Sequence, residues 1–190
     1  MAFVANISNE DVSALEAVHF DGCIEVVETA DALAKACKEL SKHSLIGFDT
    51  ETRPSFTAGV TNKVSLLQLS TPTHCYLIRL NKLPLSREII EILSSEKIKK
   101  VGADVRNDIV ALNRLRQFTP NGFIDLQNEV PRYNIEAKSL RKISGIVLGK
   151  KVSKAQRLSN WAAKQLTPQQ QMYAATDAWV CIEIYNKLTK

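Results

Sequence analysis

The 190 residues suffice for one domain with a hydrophobic core, and an apolar fraction of 45% is ordinary for a globular chain. No apolar run is long enough to cross a bilayer, and Met1 to Asn9 shows neither a basic n-region nor a long apolar h-region, so the expected location is cytoplasmic, with no membrane partner. The net charge of +5 is segregated: Lys138 to Lys164 holds eight lysines and arginines and no Asp or Glu, so that stretch carries +8 and the rest of the chain −3. Such segregation is the footprint expected of phosphate contacts, with a solvated helix face as the alternative reading.

In chain order, Ser8-Asn-Glu-Asp11 is suited to cap a short helix through Val12 and Leu15. Cys23 to Val27 reads as a strand, and a helix starting at Thr29 or Asp31 carries Leu33, Cys37 and Leu40 at helical spacing. Leu45 to Thr50, Val64 to Leu69 and Cys75 to Ile78 read as strands of an antiparallel meander, with a polar loop over Arg53 to Asn62. The pattern then alternates. Ser86 to Leu93 is helical in period, Ile98 to Val101 is a short strand, and Val105 to Leu115 is a helix. Asp125 to Tyr133 and Ser139 to Val147 read as helices, Gly149 ending the second. Pro168 suits the first turn of a last helix running to about Leu188. Together these predict an α/β domain with one mixed sheet flanked by helices.

Cys23, Cys37, Cys75 and Cys181 are far apart and form no C-x-x-C pair, so they read as reduced, buried thiols. None of the three histidines is spaced as a ligand pair. Any metal must therefore be held by carboxylates, which suits a hard ion such as magnesium or manganese.

Carboxylates stand where apolar residues are expected. In Gly47-Phe48-Asp49-Thr50-Glu51 the two acids are two apart on a strand and share a face, where they repel and lose solvation. A bridging divalent cation removes both costs; a strand that surfaces at its end is the plainer account. On the last helix Tyr173 and Asp177 share a stripe with Val180 and Ile184, which puts a charge on an apolar face. Asp104 and Asp108 begin a helix after a strand; capping explains Asp104, while Asp108 lies a full turn in.

Phe48-Asp49-Thr50-Glu51, then Val101-Gly102 leading to Asp108, then Tyr173-Ala-Ala-Thr-Asp177 resemble the three motifs of the DEDD 3′–5′ exonuclease superfamily. The tyrosine four before the last aspartate resembles its DEDDy branch, that of ribonuclease D, the Werner-syndrome exonuclease domain and the proofreading domain of bacterial polymerase I. Val64-Ser-Leu-Leu-Gln-Leu69 and Lys154-Ala-Gln-Arg-Leu-Ser-Asn-Trp161, followed by Leu166 and Gln170, extend the likeness from about Cys23 to the C-terminus. One departure is Asp104, where the family often has asparagine or histidine.

The resemblance implies a ribonuclease H-like fold over 23–190, with 1–22 an N-terminal extension packed on it. It also implies two Mg²⁺ or Mn²⁺ ions held by Asp49, Glu51, Asp108 and Asp177, about 4 Å apart, with Tyr173 orienting the attacking water. The implied partner is nucleic acid with a 3′ end, DNA or RNA, cut to nucleoside 5′-monophosphates. Lys151, Lys154, Arg157 and Lys164 are candidates to grip its backbone. Trp161 is a candidate to stack on a base, though core packing is the commoner role of such a residue. The alternatives are a catalytically weak nucleic-acid-binding module on the same fold, and an endonuclease. The intact acids weigh against the first and the Tyr173–Asp177 pair against the second. The length suggests a stand-alone exonuclease domain.

Overall fold

Among the described residues six strands, numbered β1 to β6 in chain order, form one mixed sheet in the order β1-β4-β3-β2-β5-β6. The computed structural model describes residues 2–57 and 59–190; Ala58, in the loop expected over Arg53 to Asn62, lies outside the described residues. Strands β2 (Leu45–Thr52), β3 (Val64–Ser70) and β4 (His74–Arg79) pair antiparallel as the expected meander. Strand β1 (Cys23–Val27) joins β4 in parallel. On the other side β5 (Lys99–Gly102) and β6 (Phe123–Asp125) add in parallel.

Strand alternation sorts the side chains. Ile46, Phe48, Leu67, Leu69 and Ile78 point to one face, where they pack with α2 (Ala30–Leu40), α3 (Arg87–Leu93) and α4 (Val105–Asn113). The apolar stripe read from Leu33, Cys37 and Leu40 is the face α2 buries. The opposite face is covered by α7 (Pro168–Thr189), the longest helix, with α6 (Leu140–Leu148) beside it. Thr167 and Gln170 form a reciprocal capping box at the start of α7, and Pro168 occupies its first turn.

The N-terminal segment packs on this body. Helix α1 (Asn9–Ala14) is capped by Ser8. Its continuation bridges Ala17 to Lys151, and the Phe20 amide donates to Thr176 Oγ1 of α7 at 3.1 Å.

Two expectations fail. The stretch Asp125 to Tyr133 is not one helix: after β6 come a four-residue helix, α5 (Leu126–Glu129), and a 3-10 turn, Val130–Tyr133. Pro131 has no amide to donate, which stops α5 from continuing. Cys23 is exposed, not buried, because β1 is an edge strand that leaves one side to solvent; Cys37, Cys75 and Cys181 are buried as expected. No helix among the described residues is long and apolar enough to cross a membrane.

Candidate active site

The site forms where the C-terminal half of β2 meets the middle of α7. Period-two geometry puts Gly47, Asp49 and Glu51 on the α7 face of the sheet. A Cβ on Gly47 would stand 2.1 Å from the carbonyl oxygen of Ala178, so the absence of a side chain lets the helix lie against the strand. That approach delivers Asp177. Ligand oxygens of Asp49, Glu51 and Asp177 lie within 4.8 Å of one another.

Three acids this close, Asp177 buried and Asp49 and Glu51 half-buried, resist ionisation. Burial, then the neighbouring Asp177 carboxylate, holds Asp49 well above the usual carboxylate range. Burial and repulsion from Asp49 and Asp177 push Glu51 up to about 10. Burial raises Asp177 to about 7, against the hydrogen bond from the Tyr173 hydroxyl, which favours its charged form. The six ion pairs among the described residues involve none of these acids, so a cation is what the cluster lacks. The donor set is all oxygen, which fits a hard divalent ion.

Asp108, the fourth expected acid, stands beside that cluster and not within it. The Thr50 hydroxyl donates to its carboxyl at 2.5 Å. Burial and the Asp49 charge raise it to about 8. Asp104 occupies the N-cap position of α4 in a left-handed conformation (φ 62°) and makes no side-chain cap, contrary to the capping expected of it. Asp125 takes that role from β6, accepting from the Asp104 amide at 3.2 Å and the Val105 amide at 3.1 Å. Thr50 and Asp125 thus position Asp108. Neither was singled out in the sequence, because their roles depend on which strand lies beside α4.

Tyr173 packs on Trp161, ring centroids 5.9 Å apart and tilted by 40°. Trp161 is fully buried, which leaves no ring face for a base and makes it core. Buried Arg79 pins the loop behind it, donating Nη1 to Glu28 at 3.2 Å and Nη2 to the Ala163 carbonyl.

The basic candidates divide. Lys151 donates its ammonium to the Ser13 carbonyl, inside the N-terminal packing. Lys154, Arg157 and Lys164 are exposed. Arg157 is close enough that its charge favours ionised Glu51. A cavity of about 380 Å³ opens at Tyr173 and Asp177, lined also by Val18, His19, Gln156 and Met172. That volume is in the range of small-ligand sites, roughly 300–1,000 Å³.

Residues 24–190 match a protein family described as 3′–5′ exonuclease. Among curated proteins, the bifunctional 3′–5′ exonuclease/ATP-dependent helicase WRN of Mus musculus is 31% identical over 156 residues, covering 78% of this chain and 11% of that protein. The exonuclease mut-7 homolog of Drosophila melanogaster is 30% identical over 197 residues, covering 88% of this chain and 31% of that protein. The chain thus spans a third or less of the length of these two relatives. Among solved structures, the Nibbler EXO domain of Aedes aegypti superposes with a TM-score of 0.76 at 27% identity, covering 87% of this chain and 86% of that one. Escherichia coli RNase D shares the fold with a TM-score of 0.78 at 24% identity, over 87% of this chain and 44% of that one. The sheet and helices are therefore those of the expected ribonuclease H-like exonuclease fold. With the acids and the tyrosine standing in motif order on that fold, the chain belongs to the 3′–5′ exonuclease family of the DEDD superfamily.

Proposed function

We propose that this chain is a divalent-cation-dependent 3′–5′ exonuclease that removes nucleoside 5′-monophosphates from the 3′ ends of DNA or RNA. The observation that carries the reading is the cluster of buried Asp177 with half-buried Asp49 and Glu51, ligand oxygens within 4.8 Å and no cationic side chain paired to them among the described residues. Asp49, Glu51, Asp177 and, from its edge, Asp108 would hold Mg²⁺ or Mn²⁺. Such ions supply Lewis acidity: they make water nucleophilic near neutral pH and offset charge on the departing 3′ oxygen.

The protein's own groups do the rest. The Tyr173 hydroxyl, held between Trp161 and Asp177, orients the water that attacks the terminal phosphodiester. Arg157, beside Glu51, counters charge on the scissile phosphate, and Lys154 and Lys164 attract the strand from farther out. Lys151 supports this surface through the Ser13 carbonyl and contributes to the local positive field.

A time course on 5′-labelled single strands of DNA and of RNA, with Mg²⁺, Mn²⁺ or EDTA, tests the reading. The expected result is a ladder that shortens stepwise only with metal, faster on the preferred sugar. Binding without cleavage under every condition would leave a binding module in its place.

A further inference from the structure

Gln68, at the centre of β3, is fully buried, and neither its Nε2 nor its Oε1 has a hydrogen-bond partner among the described residues. A carboxamide out of water with both ends unsatisfied is costly, and native folds keep few of them without a reason. The surroundings offer none in packing terms. Leu66 lies two residues back on the same strand and face, Leu77 lies directly across on β4, and both pack with Ala174, Ala175 and Trp161. An apolar side chain of the same size would suit that layer better.

The antiparallel register sets Gln68 directly opposite Asp49. Directly opposed residues share a sheet face, with Cβ atoms roughly 4.5–5.5 Å apart. Gln68 therefore stands next to Asp49 under α7. Of the other acids, Asp108 accepts from the Thr50 hydroxyl at 2.5 Å and the Tyr173 hydroxyl favours the charged form of Asp177, while Glu51 has no side-chain donor among the described residues. Asp49 likewise has no side-chain donor among the described residues. A carboxylate that binds a cation has lone pairs to spare, and a neighbouring donor on one of them fixes its orientation.

We propose that Gln68 is a positioning residue for Asp49: its carboxamide donates to the Asp49 carboxylate in the cation-bound protein and orients it as a ligand. This rests on the reading above, in which Asp49 holds a divalent cation. The sequence carries Gln68 as one polar residue in an otherwise apolar strand, but only the register places it beside Asp49.

Calorimetric titration of Mn²⁺ into the full chain, paired with thermal melts with and without Mn²⁺, tests this. The variants are Gln68→Met, Gln68→Leu and Asp49→Asn. The expected result is that Gln68→Met and Gln68→Leu melt at or above the wild-type temperature without cation, because they remove an unsatisfied polar group. Their Mn²⁺ affinity falls about 10- to 100-fold, the usual loss when a ligand's hydrogen-bond partner is removed, and the Mn²⁺-induced rise in melting temperature shrinks with it. Wild-type Mn²⁺ affinity in both variants overturns the proposal. So does failure of both to fold, which would make Gln68 a support of the fold through a buried water. If wild type binds Mn²⁺ and Asp49→Asn does not, while the Gln68 variants bind normally, only the positioning role fails. If wild type binds no Mn²⁺, the cation reading itself fails and takes this inference with it.

Discussion

Gly47 and Ala178 are locked by distance: a single Cβ on the glycine would stand 2.1 Å from the alanine's carbonyl oxygen and 2.7 Å from its carbonyl carbon. Both atoms belong to backbone, so nothing can rotate away. Gly47→Ala must push α7 off β2, and Asp177, the residue before Ala178, moves with it. The expected cost is about 1–3 kcal/mol of stability, the range for overpacking, together with loss of most cleavage activity. Urea denaturation and a cleavage assay check both, and an unchanged midpoint would contradict the close approach.

Asp177→Asn separates stability from catalysis. It removes a buried carboxyl crowded by half-buried Asp49 and Glu51, so the cation-free protein should melt at the same or a higher temperature. Cleavage should drop at least about a thousandfold, equivalent to about 4 kcal/mol of barrier. A folded variant with normal turnover would remove Asp177 from the mechanism.

The raised carboxyls set a pH dependence. In the unfolded chain Asp and Glu titrate near 3.9 and 4.3. In the folded protein Asp177 lies at about 7, Asp108 at about 8 and Glu51 at about 10. Above pH ~4 the folded state therefore holds more protons than the unfolded one, and stability falls as pH rises through that window. Melts in EDTA should show a lower temperature at about pH 8.5 than at about pH 5.5. Cation binding must displace those protons, so Mn²⁺ affinity should rise over the same interval and proton release should be measurable in buffers of different ionisation enthalpy.

Tyr173→Phe keeps the ring against Trp161 and removes the hydroxyl that favours ionised Asp177. Single-turnover cleavage should slow about a hundredfold, as for a misplaced reactant. Mn²⁺ affinity should change by much less. Equal losses in both would make Tyr173 a support of the metal ligands and not of the water.

Arg157→Ala removes the exposed cation whose field reaches Glu51. Strand binding should weaken similarly across sequences, and the slope of log affinity against log salt should fall by about 1. Lys151→Ala has a different signature. Its ammonium holds the Ser13 carbonyl, so the loss should appear in thermal stability.

Several elements were legible in the sequence: the β2–β4 meander, the apolar stripe of α2 and the Pro168 start of α7. Asp49, Glu51 and Asp177 showed as carboxylates among apolar residues, a weak local signal that the motif resemblance joined to Tyr173; the fold brings the three acids together. What escaped is non-local. Strand β6 has three residues, too few to show a period. Asp125 caps α4 from a strand about twenty positions away, and Gln68 meets Asp49 only through strand register. Lys151 looked like Lys154 in composition, and only the path of the N-terminal segment distinguishes them.

The most direct measurement of the central claim compares a linear single strand with a covalently closed circle of the same sequence, with Mn²⁺, and identifies the products by mass. Nucleoside 5′-monophosphates released from the linear strand from the first time point, with the circle intact, is the result this mechanism requires. Cutting of the circle, or oligonucleotides as the first products from the linear strand, would contradict exonuclease action at the Asp49–Glu51–Asp177 site.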